Sequence, residues 1–203
     1  MVINNKYKFA YIHVQKTAGS SLTEALLMID GSSNDDKRRK HIFINQSEVP
    51  QGYYKFSFVR NPWERMVSWW NMFEKKGKFN DFSTYILDNA TNFSEFLDVI
   101  NINDNIKQSS PLLKSYGKSI SVNQLDYLID ENGNMIMDFV GRYENLQEDF
   151  NTILTNIKLP NIILNQKNKF ARPDYKTFYT NPEDIEKVRV MCAKDIAYFN
   201  YEY

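Results

Sequence analysis

The chain has 203 residues, enough for one domain with a sizeable core, since chains of this length bury about 70% of the surface they expose when unfolded. Lys plus Arg and Asp plus Glu both total 25, and this zero formal charge argues against generic nucleic-acid binding and requires any positive potential to be local. One cysteine, Cys192, excludes an internal disulfide, and no apolar run approaches the ~18 residues of a transmembrane span.

Met1 to Lys8 is polar and mixed, with no basic region leading into a long apolar one, so the expectation is a cytoplasmic chain without signal peptide or membrane anchor. Phe9 to Val14 is apolar, breaks into Gln15, Lys16, Thr17, Ala18, Gly19, Ser20 and Ser21, and resumes as Leu22, Ala25, Leu26 and Ile29, which reads as strand, tight loop, helix. Small residues at a helix N-terminus present unpaired N–H groups and the positive end of the helix dipole, so this loop suits a phosphate or another multi-oxygen anion. Lys16 adds a mobile charge. The loop is not a Walker A sequence, because its lysine precedes the only glycine. His13 lies just before the loop, where strand alternation either buries it or aims it at the pocket; a supporting role is favoured over catalysis.

Gly31 to Lys40 is a polar connector whose basic run, Lys37 to Lys40, is a solvated patch or a contact for an anionic acceptor. Phe56 to Val59 is then a buried strand with Arg60 at its end, and Asn61 and Pro62 open a helix as cap and first-turn proline. That helix has an apolar stripe of Trp63, Met66, Val67, Trp70 and Phe73, with Arg65 and Ser68 on a different face. If the two strands are parallel neighbours, Lys16, Arg60 and Ser68 converge at the carboxyl edge of one sheet, where open α/β folds place ligands.

Residues 77–117 are Asn-rich and aromatic, with helical patches at Phe82 to Leu87 and Phe93 to Ile100, and read as a variable insertion. Leu125 to Ile129 and Met135 to Val140 read as two strands around a turn at Glu131 to Asn134. Arg142 and Glu144 follow the second strand, either as an internal ion pair or in contact with substrate, and a helix runs from Asn145 to about Ile157. A closing helix starts at Asn181 and Pro182 and turns Ile185, Val188, Met191, Cys192 and Ile196 inward, with Cys192 as a buried thiol. No Cys and His cluster has zinc spacing and no carboxylate run has calcium-loop spacing, so no metal is implied.

The combination HxxKTAGSS, His13 to Ser21, with FVRNPxxRxxS, Phe58 to Ser68, resembles the P-loop sulfotransferases that use 3′-phosphoadenosine-5′-phosphosulfate (PAPS), in their carbohydrate-type branch. Asp138 to Leu146 resembles that branch's third strand and turn, and Tyr175 to Tyr201 its closing loop and helix. Gln15 stands where that family most often has proline. The resemblance implies an α/β, P-loop NTPase-like three-layer fold with a central, mainly parallel sheet flanked by helices. It implies one sulfotransferase domain over residues 1–203, with 77–117 as a helical insertion shaping the acceptor cleft.

The implied reaction moves a sulfuryl group from PAPS to a hydroxyl, of a carbohydrate or glycoconjugate, releasing the desulfated product PAP without a metal. The backbone of Thr17, Ala18, Gly19, Ser20 and Ser21 would hold the 5′-phosphosulfate, and Lys16 would neutralise the leaving oxygen. Arg60 and Ser68 would hold the 3′-phosphate, joined by Lys167, Lys169 and Arg172 from a closing loop, and His41 would be the general base. Two other readings stand beside this one: a P-loop nucleotide or small-molecule kinase, and a PAP-binding protein without catalysis.

Overall fold

In the computed structural model, which describes residues 1–34, 49–101, 120, 122–165 and 173–203, strand β1 (Val2–Asn4) turns back into strand β2 (Phe9–Ile12). The Asn4 side chain accepts the Tyr7 N–H at 2.8 Å, and Lys8 takes a left-handed φ of 53° to complete the reversal. β3 (Ser32–Asn34) pairs antiparallel with β1, β4 (Tyr54–Val59) pairs parallel with β2, and β5 (Phe139–Arg142) pairs parallel with β4, giving the order β3-β1-β2-β4-β5. The fold is therefore α/β, with a mixed five-stranded sheet that is parallel through β2, β4 and β5 and flanked by helices. The register sets Ile12 against Ser57 and Val59 against Arg142, so the loops leaving β2, β4 and β5 emerge along one edge.

The described helices are α1 (Gly19–Leu27), α2 (Pro62–Lys76), α3 (Asp81–Asn89) and α4 (Phe93–Asn101), then α5 (Leu146–Asn156), α6 (Pro182–Met191) and α7 (Ala193–Phe199). The chain divides into two units, Met1–Arg60 with Gln124–Phe170 and Asn61–Asn123 with Ala171–Tyr203. In the first, Leu22, Ala25 and Leu26 of α1 and Phe150, Ile153 and Leu154 of α5 share one core with Phe9, Tyr11, Phe56 and Phe58 of the sheet. Each of the Leu, Ile and Phe side chains contributes about 1.5–3 kcal/mol by leaving water. Tyr11, wholly buried there, has its hydroxyl pushed far above the usual phenol range by desolvation.

The second unit is helical. Its entry is fixed by Asn61, whose Oδ1 accepts the N–H groups of Trp63 at 3.0 Å and Glu64 at 3.3 Å, while Nδ2 donates to the Glu202 carbonyl at 2.9 Å. The expected stripe of Trp63, Met66, Val67, Trp70 and Phe73 is buried, and Phe73 packs on Phe82 and Phe96 with ring centroids 5.8 and 6.0 Å apart. Trp63 Nε1 donates to the Ile185 carbonyl at 3.0 Å, and the Tyr179 hydroxyl donates to the Trp63 carbonyl at 2.9 Å. α3 is closed by a capping box between Asn80 and Ser83.

Three expectations change. β1 and β3 lie in stretches that read as polar start and polar connector: these three-residue strands are held by backbone partners, β1 between β3 and β2 and β3 at the edge on β1, rather than by an apolar run. The strand expected at Leu125 to Ile129 is a 3-10 turn at Leu125–Tyr127, and the pairing with the next segment reduces to one bridge, Ile129 against Met135. Leu125–Tyr127 is wound by the Tyr127 N–H donating to the Gln124 carbonyl at 3.1 Å and the Leu128 N–H to the Leu125 carbonyl at 2.8 Å, and the expected turn that follows is built by Asp130, whose carboxylate accepts the N–H groups of Asn132 and Asn134 at 2.9 and 2.8 Å. The closing helix is two, α6 and α7, broken at Cys192 with φ −109° and ψ 25°.

Candidate active site

The loop from Val14 to Ser21 joins β2 to α1. Lys16 and Ala18 hold left-handed φ angles of 69° and 65°, which for residues with a Cβ costs about 1–2 kcal/mol each. Such strain persists where surrounding contacts determine it. Thr17 is fully buried, and its hydroxyl donates to the Val14 carbonyl at 2.9 Å, within the loop itself. Ala18 caps α1 without a side-chain acceptor, and its carbonyl receives the N–H groups of Ser21 at 3.0 Å and Leu22 at 3.2 Å. No side chain caps the positive end of the helix and its first turn holds no acidic residue, the condition under which an anion is bound well.

Gly19 is dictated by His13. A Cβ built on Gly19 would lie 1.6 Å from His13 Nε2 and 1.9 Å from Cδ2, so the imidazole fills the volume a side chain would need. His13 is half-buried and stacks on Tyr11 with centroids 6.0 Å apart. It supports the loop from behind.

Arg60 stands one residue past β4 and is only 4% exposed. Its Nη1 donates to the Lys16 carbonyl at 3.1 Å, and its guanidinium carbon lies 3.7 Å from the centroid of the Tyr143 ring. Its backbone is held by Gln124, itself fully buried: the Arg60 N–H donates to Oε1 at 2.9 Å and Nε2 donates to the Arg60 carbonyl at 2.8 Å. The Ser57 hydroxyl donates to the Ile12 carbonyl at 2.7 Å, tying β4 to β2 just below the loop. At the end of β5 the Arg142 N–H donates to Asp149 Oδ2 at 2.6 Å, and Glu144 is exposed in the short turn Tyr143–Asn145.

The first unit therefore brings together His13, Lys16, the Thr17 to Ser21 backbone and Arg60, with Arg142 and Glu144 at the neighbouring strand end. Ser68 lies on α2 in the second unit and is half-buried. Arg65 on the same helix is fully buried and donates to the Val122 carbonyl at 3.3 Å. Burial, reinforced by Asp195 and opposed by Arg65, pushes the Cys192 thiol up to about 12. His41, Lys167, Lys169 and Arg172, and the basic run Lys37 to Lys40, lie outside the described residues. Among the described residues no group of three or more His, Cys, Asp or Glu is placed to hold a metal ion.

Gln124 and Tyr143 were not singled out by the sequence. Tyr143 adjoins Arg142 within the segment that carries the resemblance, but Gln124 has no flanking signal and meets Arg60 across 64 residues.

A protein from Archaeoglobus fulgidus, described as uncharacterized, is 30% identical over 132 residues, covering 62% of this chain and 84% of that protein. No solved structure gives a significant match. The profile described as Sulfotransferase family matches residues 1–202, essentially the whole length. On that match over nearly the whole chain, the protein belongs to the sulfotransferase family, whose chemistry is the transfer of a sulfuryl group.

Proposed function

We propose that the chain is a PAPS-dependent O-sulfotransferase acting on a hydroxyl of a carbohydrate or glycoconjugate. The observation that carries this is the loop between β2 and α1, strained at Lys16 and Ala18 and braced through the Lys16 carbonyl by a nearly buried Arg60. A buried guanidinium beside a helix N-terminus without a side-chain cap fits a donor with anionic groups at both its 5′ and 3′ ends. The donor supplies a sulfuryl group: the acceptor oxygen bonds to sulfur as the bond from sulfur to the 5′-phosphate oxygen breaks.

The chain's own residues position and neutralise, as in phosphoryl transfer. The N–H groups of Thr17 to Ser21 hold the 5′ anion, and Lys16 offsets charge on the leaving oxygen. Arg60 meets the 3′-phosphate, joined by Ser68, Lys167, Lys169 and Arg172, a role that all five take from the resemblance. His41 takes the acceptor proton, a task suited to an ordinary imidazole pKa of about 6.5. Residues 77–117 shape the acceptor cleft of a single functional domain.

The test is thermal unfolding with PAP, with ADP, and with ATP plus magnesium. A ligand at ~100 times its Kd stabilises by about 2.7 kcal/mol, which raises Tm by roughly 5–10 °C in a chain of this size. A shift with PAP that ADP does not match is expected. No response to PAP alongside a clear shift with ATP and magnesium would replace the sulfotransferase assignment with a kinase.

A further inference from the structure

We infer that Gln124 and Tyr143 are positioning residues for donor binding: they hold Arg60 in the orientation in which its guanidinium braces the Lys16 carbonyl, and so keep the anion loop in its strained shape. The inference deepens the donor-site proposal above and rests on it only for the identity of the ligand.

Three contacts leave Arg60 little freedom. The Gln124 amide pairs with both the N–H and the carbonyl of Arg60, doing for that residue what a neighbouring strand does for the rungs before it. β4 ends at Val59, so the clamp prolongs the extended backbone by one residue and fixes where the Arg60 Cα–Cβ bond points. Tyr143 then sets the far end of the side chain. At 3.7 Å the guanidinium lies against the ring face, and a stacked guanidinium keeps its N–H groups in its own plane, where they remain available as donors. One of them reaches the Lys16 carbonyl at 3.1 Å. Lys16 is one of the two left-handed residues of the loop, and a hydrogen bond to its carbonyl opposes relaxation of that peptide to an unstrained conformation.

The consequence is a link between two parts of the site. If Arg60 only met the 3′-phosphate, loosening it would affect ligands that carry one. If it also braces the loop, loosening it weakens ligands that bind through their 5′ end alone.

The experiment compares the full-length wild type with Tyr143→Leu, Tyr143→Phe and Gln124→Met. Calorimetric Kd values are measured for PAP and for adenosine 5′-phosphosulfate, which lacks the 3′-phosphate, with KM for donor and acceptor and Tm alongside. Tyr143→Leu is expected to weaken both ligands about tenfold, within the range of a desolvated cation–π contact, and to raise donor KM without moving acceptor KM. Tyr143→Phe keeps the ring face and should restore wild-type affinity to within about twofold. Gln124→Met should act in the same direction as Tyr143→Leu; if it does not fold, Tyr143→Leu with an unchanged Tm decides alone. Loss of PAP affinity with adenosine 5′-phosphosulfate unaffected would overturn the brace, as would wild-type affinities in Tyr143→Leu or equal losses in Tyr143→Phe. A wild type that binds ATP with magnesium and not PAP refutes the donor assignment instead, and the same variants titrated with ATP then decide the brace.

Discussion

Replacing Gly19 by Ala isolates the packing of His13 against the loop between β2 and α1. Gly19 is the first residue of α1 and its φ is not left-handed, so on propensity alone the change would stabilise by about 0.4–1 kcal/mol. Sterics reverse the sign. The new Cβ would sit 1.6 Å from His13 Nε2, far inside contact distance, and the ring is stacked on Tyr11. Overpacking of this kind costs about 1–3 kcal/mol, and an overlap this deep belongs at the upper end, leaving a net loss of about 2 kcal/mol and a fall in Tm of roughly 4–8 °C. The assay is urea and thermal unfolding of wild type, Gly19→Ala, His13→Ala and the double variant. In the double variant the ring is gone and the Cβ has room, so a favourable coupling of more than about 1 kcal/mol is expected. The steric account fails if Gly19→Ala is as stable as wild type, or if His13→Ala does nothing to relieve it.

Substituting His41 by Ala should lower turnover by about 10²- to 10⁴-fold while leaving PAP affinity unchanged; unchanged turnover removes it from the mechanism. Asn61→Ala deletes a cap that accepts two N–H groups, and should cost about 1–2 kcal/mol in chemical denaturation. Alkaline pH should destabilise the fold. The Cys192 thiol is raised to about 12, so above its ordinary range the unfolded chain releases a proton that the native state retains. Stability from this group is complete below about pH 9 and falls towards pH 12 by up to ~1.4 kcal/mol per pH unit, with Tyr11 and Tyr179, also raised by burial, acting in the same direction. Cys192→Ala should make the decline shallower by one proton, measured as the pH dependence of the urea midpoint.

The strand, loop and helix around Lys16 and the strand and helix around Arg60 were legible because apolar runs, small loop residues and a strong Asn-Pro cap mark them locally. Apolar periodicity likewise located α3, α4 and α5 closely. It could not show β1 and β3, whose reason for being strands is a partner's backbone, nor the turn at Leu125–Tyr127, where local bonds to the Gln124 and Leu125 carbonyls take the place of a strand ladder. In the candidate site, the charged candidates announced themselves by type. Their support did not: Gln124 and Tyr143 act on Arg60 through contacts distant in sequence, and an amide that pairs with a remote backbone has the same letter as one that faces water.

The Gln124 clamp also has a dynamic signature. Beyond the last rung of a ladder, a backbone amide normally frays and trades its proton with solvent in step with local openings. Arg60 lies past that rung, yet its N–H is closed by a buried side chain that cannot withdraw without opening the interior around it. Its amide should therefore exchange for deuterium as slowly as those of Phe58 and Val59, which makes the end of β4 one of the last parts of the sheet to let go.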